Sequence, residues 1–137
     1  MHPNHLHLKQ KAIKNNDLTV CKLKSFSREF NTNLFSEEDK TPDILQPKNA
    51  FEDFVCGAFP MMMVAPLWRT SSLKPYLPIR EDLHILEDHE LYARALYNEK
   101  KIAIINKPLI FYRVGETSAT NRFYSNVDFG LQSYFKA

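Results

Sequence analysis

The feature that most restricts the fold is one apolar run, FVCGAFPMMMVAPLW, at residues 54–68. It is the most apolar stretch of the chain, but a helix that crosses a bilayer needs about 20 such residues. Gly57, Pro60 and Pro66 interrupt the run and disfavour one long helix. We therefore interpret it as one or two buried β-strands and predict that the chain has no membrane span.

Length and composition allow one domain with one core. The chain has 137 residues, of which 44% are hydrophobic and 25% charged, as in ordinary globular proteins. A net charge of +2 excludes a polycation that binds nucleic acid through charge alone. Cys21 and Cys56 lie far apart and lack metal-ligand spacing, which is typical of a reducing cytosol. Because the chain begins with the polar MHPNHLHLKQ, we predict no signal peptide.

Hydrophobic periodicity indicates alternating helices and strands, which is typical of the α/β class. A short helix is predicted from residue 3 to about residue 13, and the alternating DLTVCKLKSF at residues 17–26 predicts a strand. Residues 31–50 are polar, contain two prolines and predict a long loop. A second helix, around residues 88–99, precedes two predicted strands, IAII and LIFYRV, which an NKP turn separates.

Two adjacent acids, Glu87 and Asp88, open the second predicted helix in the sequence ILEDHELYARAL. On a wheel of about 100° per residue they point in different directions. Glu87 falls on the polar side, where it can favour the helix dipole or pair with Arg94. Asp88 faces the body of the protein, within an apolar arc that contains Leu91, Tyr92, Ala95 and Leu96.

The position of Asp88 leaves two roles open. Asp is among the best N-cap residues, worth about 1 kcal/mol relative to Ala. A carboxylate at the inner edge of a helix start also suits a general base, because it is oriented and partly removed from water. The two roles are compatible, and the local pattern does not decide between them.

The segments around the two acids follow an order that resembles a known family. The run MMMVAPLWR comes first, then a connection, then EDHELYARAL, then KKIAIINKPLIFYRV. This order resembles the C-terminal, acceptor-side half of family 2 inverting glycosyltransferases with the GT-A fold. In that family an acidic pair opens a helix with an Arg six residues after the second acid, which matches Arg94. The resemblance is best over residues 51–118 and weaker over 1–50, and residues 119–137 form a tail.

The resemblance implies roles for the two acids, and three further residues are candidates from their own chemistry. It implies a partial GT-A fold, a mixed sheet with flanking helices, in which Asp88 is the catalytic base and Glu87 a supporting acid near the acceptor. Trp68 could stack on a sugar ring, and Arg69 could bind acceptor hydroxyls or phosphate. Their alternatives are core packing and a solvated side chain. Arg113, at the end of a predicted strand, could pair with either acid or reach the donor diphosphate.

The family's nucleotide-binding half, with its DxD metal motif, has no counterpart in this sequence. We therefore expect the divalent metal of the parent enzyme, Mn²⁺ or Mg²⁺, to be bound outside this chain, and we predict no metal site within it. His2 and His5, at helical spacing, are the alternative metal ligands, weighed against an exposed N-terminal segment. The implied partners are a nucleotide-sugar and a saccharide acceptor, with no nucleic acid.

The predicted function follows from the resemblance. We expect a bacterial, cytoplasmic protein, with peripheral association with the membrane left open, whose parent activity is sugar transfer in polysaccharide or lipopolysaccharide assembly. We expect the isolated chain to be inactive. The alternative is a non-catalytic interaction or remnant domain that lacks the donor site. Because the 55–66 segment is interpreted as an unpaired apolar strand, we also predict a homodimer that buries it.

Overall fold

The structure is a computed structural model that describes residues 1–27, 43–59, 61–83 and 85–115, together with positions 125, 126, 128, 132 and 135. The loop predicted at residues 31–50 lies outside the described residues as far as position 42. Its last part contains a short strand and the beginning of a helix. Most of the predicted tail also lies outside the described residues.

Within the described ranges the strands form one mixed sheet flanked by helices, which confirms the predicted α/β class. The strand order is β2–β4–β1–β3, with β4 parallel to β1 and with antiparallel strands at both edges. The elements are α1 His5–Ala12, β1 Leu18–Phe26, β2 Ile44–Leu45, α2 Ala50–Val55, β3 Leu67–Trp68, α3 Thr70–Leu73, a 3-10 turn Lys74–Tyr76, α4 Glu87–Leu96 and β4 Ile102–Arg113.

The two faces of the sheet bury different side chains. Helices α2 and α4 cover one face, where an aromatic and aliphatic core forms from residues that include Leu18, Val20, Phe54, Tyr92 and Leu96. Helix α1 covers the other face with Leu8 and Ala12, which pack against a smaller cluster of Cys21, Ile105, Leu109 and Ile110. The alternation of β1 explains this division, because successive side chains of a strand point to opposite faces.

Helix α4 fixes the relation between the acids and the sheet. It leads through a short turn into β4, so its C-terminal end lies beside the beginning of β4. Its ten residues span about 15 Å. Its N-terminal end therefore lies over the face of the sheet, about 15 Å along from the beginning of β4, and does not reach the carboxyl ends of the nine-residue β1 and the twelve-residue β4. Leu91, Tyr92, Ala95 and Leu96 are buried, as the helical wheel predicts.

Two strand predictions are wrong. The run at residues 54–68 is not one or two long strands: it contains the end of α2, a series of turns, and only the two residues of β3. The two strands predicted around the NKP turn are one continuous strand, β4. Pro108 pairs opposite Lys22 between two register shifts, so the proline and its neighbours form an irregularity in the ladder without ending it.

The segment between α2 and β3 covers much of its own apolar surface. Phe59, Met61 and Ala65 are buried in the core on the α2–α4 side. Met63 and Val64 remain 50% and 47% exposed. The segment is thus neither a paired strand nor fully open. Across the described part of the chain, no helix has the length and apolar character that a bilayer crossing requires.

Candidate functional site

The carboxylate of Asp88 lies in the first turn of α4 and joins that helix to the turns before β3. The backbone N–H of Met63 donates to Oδ2 with an N···O distance of 2.9 Å. The backbone N–H of His89 donates to Oδ1 at 2.8 Å. An ionised carboxylate offers about four acceptor positions, so two remain for a substrate hydroxyl. The group is fixed in orientation and half-buried.

Asp88 is not the N-cap of the helix, which corrects that alternative. Helix α4 begins at Glu87, and the N-cap position is Leu86, whose side chain makes no capping hydrogen bond. Leu86 has a φ of 65°, a left-handed conformation that is uncommon for residues other than glycine. Asp88 is therefore the second helical residue. Its bond to Met63 reaches 25 positions back along the chain, so it holds a tertiary contact.

Aromatic groups border Asp88 on the inner side of the helix. Tyr92, one turn further along, stacks on Trp68 with ring centroids 5.9 Å apart. Burial raises the pKa of Tyr92, and the negative charge of Asp88 raises it further, so this phenol stays protonated. The ring of His89 lies 4.6 Å from that of Phe54. Burial lowers the pKa of His89 more than the charge of Asp88 raises it. The lowered pKa favours a neutral imidazole.

Trp68 is located in the core and not on an open surface. It is partly buried, its ring packs on Tyr92, and its indole Nε1 is buried without a hydrogen-bond partner among the described residues. This geometry corresponds to the core-packing alternative. The ring of Tyr92 already stacks on the ring of Trp68. The sugar-stacking role of Trp68 stays a prediction.

Glu87 and Arg94 do not pair, which corrects a second prediction. Arg94 makes a bidentate contact with Glu90, with distances of 2.8 and 3.0 Å, and its Nη1 donates to the carbonyl of Tyr76 at 2.7 Å. Glu87 has no hydrogen-bond or ion-pair partner within the described ranges. The i,i+4 spacing of Glu90 and Arg94 explains the choice, because residues four apart face each other on a helix.

Arg69 directly follows β3 and belongs to a structural cluster at the turn between α1 and β1. Its Nε donates to the carbonyl of Asn16 at 2.7 Å, and Nη2 donates to the carbonyls of Ile13 and Lys14. Its own backbone N–H donates to the carbonyl of Asp17 at 2.8 Å. The guanidinium therefore closes the turn between α1 and β1. The side chain is exposed, as in the solvated alternative, but its donors are bound to these carbonyls. A role of Arg69 toward acceptor hydroxyls or phosphate stays a prediction.

Asp17 is the second member of this cluster, and the sequence analysis did not identify it. Its carboxylate accepts from the Ser72 hydroxyl at 2.6 Å and from the backbone N–H of Lys101 at 2.8 Å. Burial raises the pKa of Asp17, but these two hydrogen bonds and the charges of Lys100 and Lys101 outweigh burial and lower it. We call Arg69, Asp17 and Ser72 the Arg69 cluster.

Arg113 ends β4 and does not contact either acid. Its guanidinium lies 5.5 Å from the ring centroid of Phe26, the residue that ends β1. The ion pairs between described residues are Arg80–Asp82 and Arg94–Glu90. The predicted pairing of Arg113 with Glu87 or Asp88 is therefore wrong, and its reach to a diphosphate stays a prediction.

Among the described residues, no group of three or more His, Cys, Asp or Glu side chains is placed around one point. Nδ1 of His2 accepts from the backbone N–H of Asn4 at 3.1 Å, and Nδ1 of His5 lies 3.0 Å from the carbonyl of His2. These local contacts involve only the Nδ1 atoms, so the alternative metal role of His2 and His5 stays a prediction.

The chain was compared with models of known protein families, with curated protein sequences and with solved structures, and none of the three comparisons found a match. The case for a function therefore depends on the sequence order and on the geometry of the Asp88 site.

The contact between Asp88 and Met63 escaped the sequence analysis because it joins residues that are distant in the chain. The contact between Trp68 and Tyr92 escaped it for the same reason. One signal was accessible: Tyr92 lies four residues after Asp88, so helical spacing predicts that the two side chains share a face.

Proposed function

We propose that this chain is the acceptor-side part of an inverting glycosyltransferase and that Asp88 is its general base. The observation that carries the proposal is the fixed Asp88 carboxylate, in the first turn of a helix that packs on the sheet, with acceptor capacity to spare. The strained backbone at Leu86, directly before the acids, adds support because such conformations cluster at functional sites.

The proposed reaction is a direct displacement at the anomeric carbon of a nucleotide-sugar. Asp88 takes the proton of an acceptor hydroxyl as the hydroxyl oxygen bonds to the anomeric carbon. The bond from that carbon to the diphosphate oxygen breaks, and its electron pair leaves with the nucleoside diphosphate. The sugar is thereby transferred with inversion. General base catalysis of this kind contributes about 10²- to 10⁴-fold to a rate.

The surroundings of Asp88 suit this role. The two backbone donors fix the carboxylate, and fixed orientation is what a proton acceptor needs in order to meet one hydroxyl. Tyr92 stays protonated beside it and His89 favours the neutral form, so neither neighbour adds a full positive charge that would weaken the base. Glu87, without a partner among the described residues, is free to accept from a second acceptor hydroxyl.

The proposal places donor binding and the divalent metal in a separate polypeptide segment. The direct test begins with the reading frame upstream of the gene. If that frame encodes a nucleotide-binding half, the two products are co-expressed and nucleoside diphosphate release is measured with a panel of nucleotide-sugars and saccharide acceptors. Acceptor-dependent release by the pair, and not by either product alone, is the expected result.

An upstream frame without such a half, or a purified pair that binds a nucleotide-sugar but never transfers, would favour the non-catalytic interaction domain. A second measurement addresses this chain alone. Calorimetry with UDP-sugars and Mn²⁺ should give weak or no binding, and a dissociation constant near the micromolar range would contradict the division of labour proposed here.

We further propose that the chain forms a homodimer through the apolar side chains left exposed near residues 55–66. Val55, Met63 and Val64 are each about half exposed. The area available is smaller than the sequence interpretation assumed, because Phe59, Met61 and Ala65 are covered internally. Light scattering at micromolar concentration tests this directly: twice the 16.0 kDa chain mass is expected, and a monomer would exclude the dimer.

A further inference from the structure

A groove with both polar and apolar lining lies beside the beginnings of β1 and β4. It has a volume of about 830 Å³, within the range of small-molecule sites. Three segments form its walls: the turn between α1 and β1, residues 46–52, and the turn between α4 and β4. From Asp88 to Tyr97 along α4 the distance is about 13 Å, so the groove is separate from the proposed catalytic site.

The groove offers hydrogen-bonding groups of both kinds. Asn15, Gln46 and Lys48 line it and are exposed, and no described residue bonds to their side chains. Side-chain amides donate and accept, lysine donates, and the carboxylates of Glu52 and Glu99 accept. A ligand that presents both donors and acceptors at short intervals matches this lining better than a ligand that only accepts.

The charges of the lining nearly balance. Lys48, Lys100 and Lys101 line the groove together with Glu52 and Glu99, and the ammonium of Lys100 lies 5.6 Å from the ring centroid of Tyr76. The carboxylate of Asp17 also interacts with Lys100 and Lys101. This balance does not favour a phosphate or another strongly anionic ligand, and a lining that mixes polar and apolar surface does not favour a wholly apolar ligand. An uncharged ligand rich in hydroxyl groups remains as the best chemical match.

An aromatic ring completes the groove. Tyr97 is 71% exposed, although it belongs to the turn that ends a well-packed helix. Phe51 meets it in an edge contact, with centroids 5.3 Å apart and planes at 80°. The contact holds the Tyr97 ring in place without covering it. An open ring of this kind can pack against the apolar C–H face of a sugar while its hydroxyl bonds to the ligand.

We infer from this combination that the groove binds a neutral oligosaccharide. The balanced polar lining would hold the hydroxyl groups, and Tyr97 would supply the surface for one sugar ring. This site does not depend on Asp88, and it would remain if the transfer reaction proposed above were absent. In an active transferase it would hold a distant part of a saccharide chain.

The test is a titration of the full chain, labelled with ¹⁵N, with neutral hexasaccharides of glucose, galactose, mannose and N-acetylglucosamine. Amide signals of Asn15, Lys48 and the segment 97–101 should shift with at least one of them. Inorganic phosphate, used as the anionic probe, should leave these signals unchanged.

Variants separate this site from the catalytic proposal. Tyr97→Ala should weaken the binding about tenfold, whereas Tyr97→Phe, which keeps the ring, should bind nearly as the parent does. Asp88→Asn should bind unchanged. Because Tyr97 is exposed, both Tyr97 variants should keep the thermal midpoint of the parent. Equally strong binding in Tyr97→Ala and in the parent would overturn the inference. So would amide shifts that appear with phosphate and not with saccharide, or the absence of a shift with every hexasaccharide.

Discussion

Two aspartates, Asp17 directly before β1 and Asp88 in the first turn of α4, accept the same number of hydrogen bonds with their carboxylates and yet differ in their surroundings. Asp17 accepts from a hydroxyl and a backbone N–H, and Asp88 accepts from two backbone N–H groups. The number of bonds therefore does not identify a catalytic carboxylate. The difference lies in the groups around each one.

Asp17 is surrounded by positive charge. The hydrogen bonds from Ser72 and the backbone N–H of Lys101, and the charges of Lys100 and Lys101, lower its pKa. A carboxylate whose pKa is lowered is a weaker base, so Asp17 is suited to holding α3, β4 and the first turn together. The groups beside Asp88 are the neutral rings of Tyr92 and His89. If Asp88 is the proposed base, the charge of the neighbouring groups distinguishes its carboxylate from the structural carboxylate of Asp17.

The largest effect is expected from Asp88→Asn in the assembled transferase. The amide cannot take a proton from the acceptor, so transfer should fall by about 10²- to 10⁴-fold. The free energy of unfolding should also fall, by about 1–3 kcal/mol, because the amide has one acceptor oxygen where the carboxylate has two and so loses one of the bonds from the N–H groups of Met63 and His89. Nucleoside diphosphate release and urea unfolding measure the two quantities.

Asp17→Asn is the matched control, since it replaces the carboxylate of the structural aspartate before β1 with the same amide. It should leave the transfer rate per folded molecule unchanged. Near-parental transfer by Asp88→Asn, or an equal loss in Asp17→Asn, would remove the distinction between the two carboxylates and with it the proposed base.

The next largest effect is expected from Arg69→Ala. The change removes the donors to the carbonyls of Ile13, Lys14 and Asn16 and should lower the free energy of unfolding by about 2–3 kcal/mol, near the value for one or two bonds from a charged group. Urea denaturation measures it. Arg113→Ala is the control. Arg113 is an exposed arginine at the end of β4, and its recorded contact is with an aromatic ring, so its loss should lower the free energy of unfolding by only about 0.5–1 kcal/mol. Equal losses would show that Arg69 has no special structural role.

A smaller effect is expected from acid. The pKa of Asp17 is lower in the folded chain than its ordinary value of 3.8. Its contribution to stability is therefore complete above that value and is lost as the pH falls through the lower, folded pKa. Between about pH 4 and pH 2, the free energy of unfolding of Asp17→Asn should fall less steeply with decreasing pH than that of the parent. Stability curves of both proteins across this range test the sign, and parallel curves would contradict it.

The smallest effect is expected from Trp68→Phe. The indole Nε1 is buried without a partner among the described residues, so its removal offsets the loss of ring volume against Tyr92. The free energy of unfolding should stay within about 1 kcal/mol of the parent. Thermal unfolding measures this. A loss of several kcal/mol would indicate that Nε1 has a partner, and unchanged stability with lost acceptor binding would instead support a sugar-stacking role.

The sequence alone determined the elements whose pattern is local. The alternation in β1 and the apolar arc of α4 follow from periods of two and about 3.6 residues, which any window of the chain contains. The inward direction of Asp88 follows from the same helical period. The pairing of Arg94 with Glu90 could also have been read from four-residue spacing.

Only the tertiary structure decided the roles of Arg69, Trp68 and Asp17. The partners of Arg69 lie 53 to 56 positions away, and those of Asp17 lie 55 and 84 positions away. The sequence pattern at a strand end is the same whether an arginine meets solvent, a phosphate or a row of carbonyls. Which of these it meets depends on how distant segments pack, and local periodicity carries no information about that.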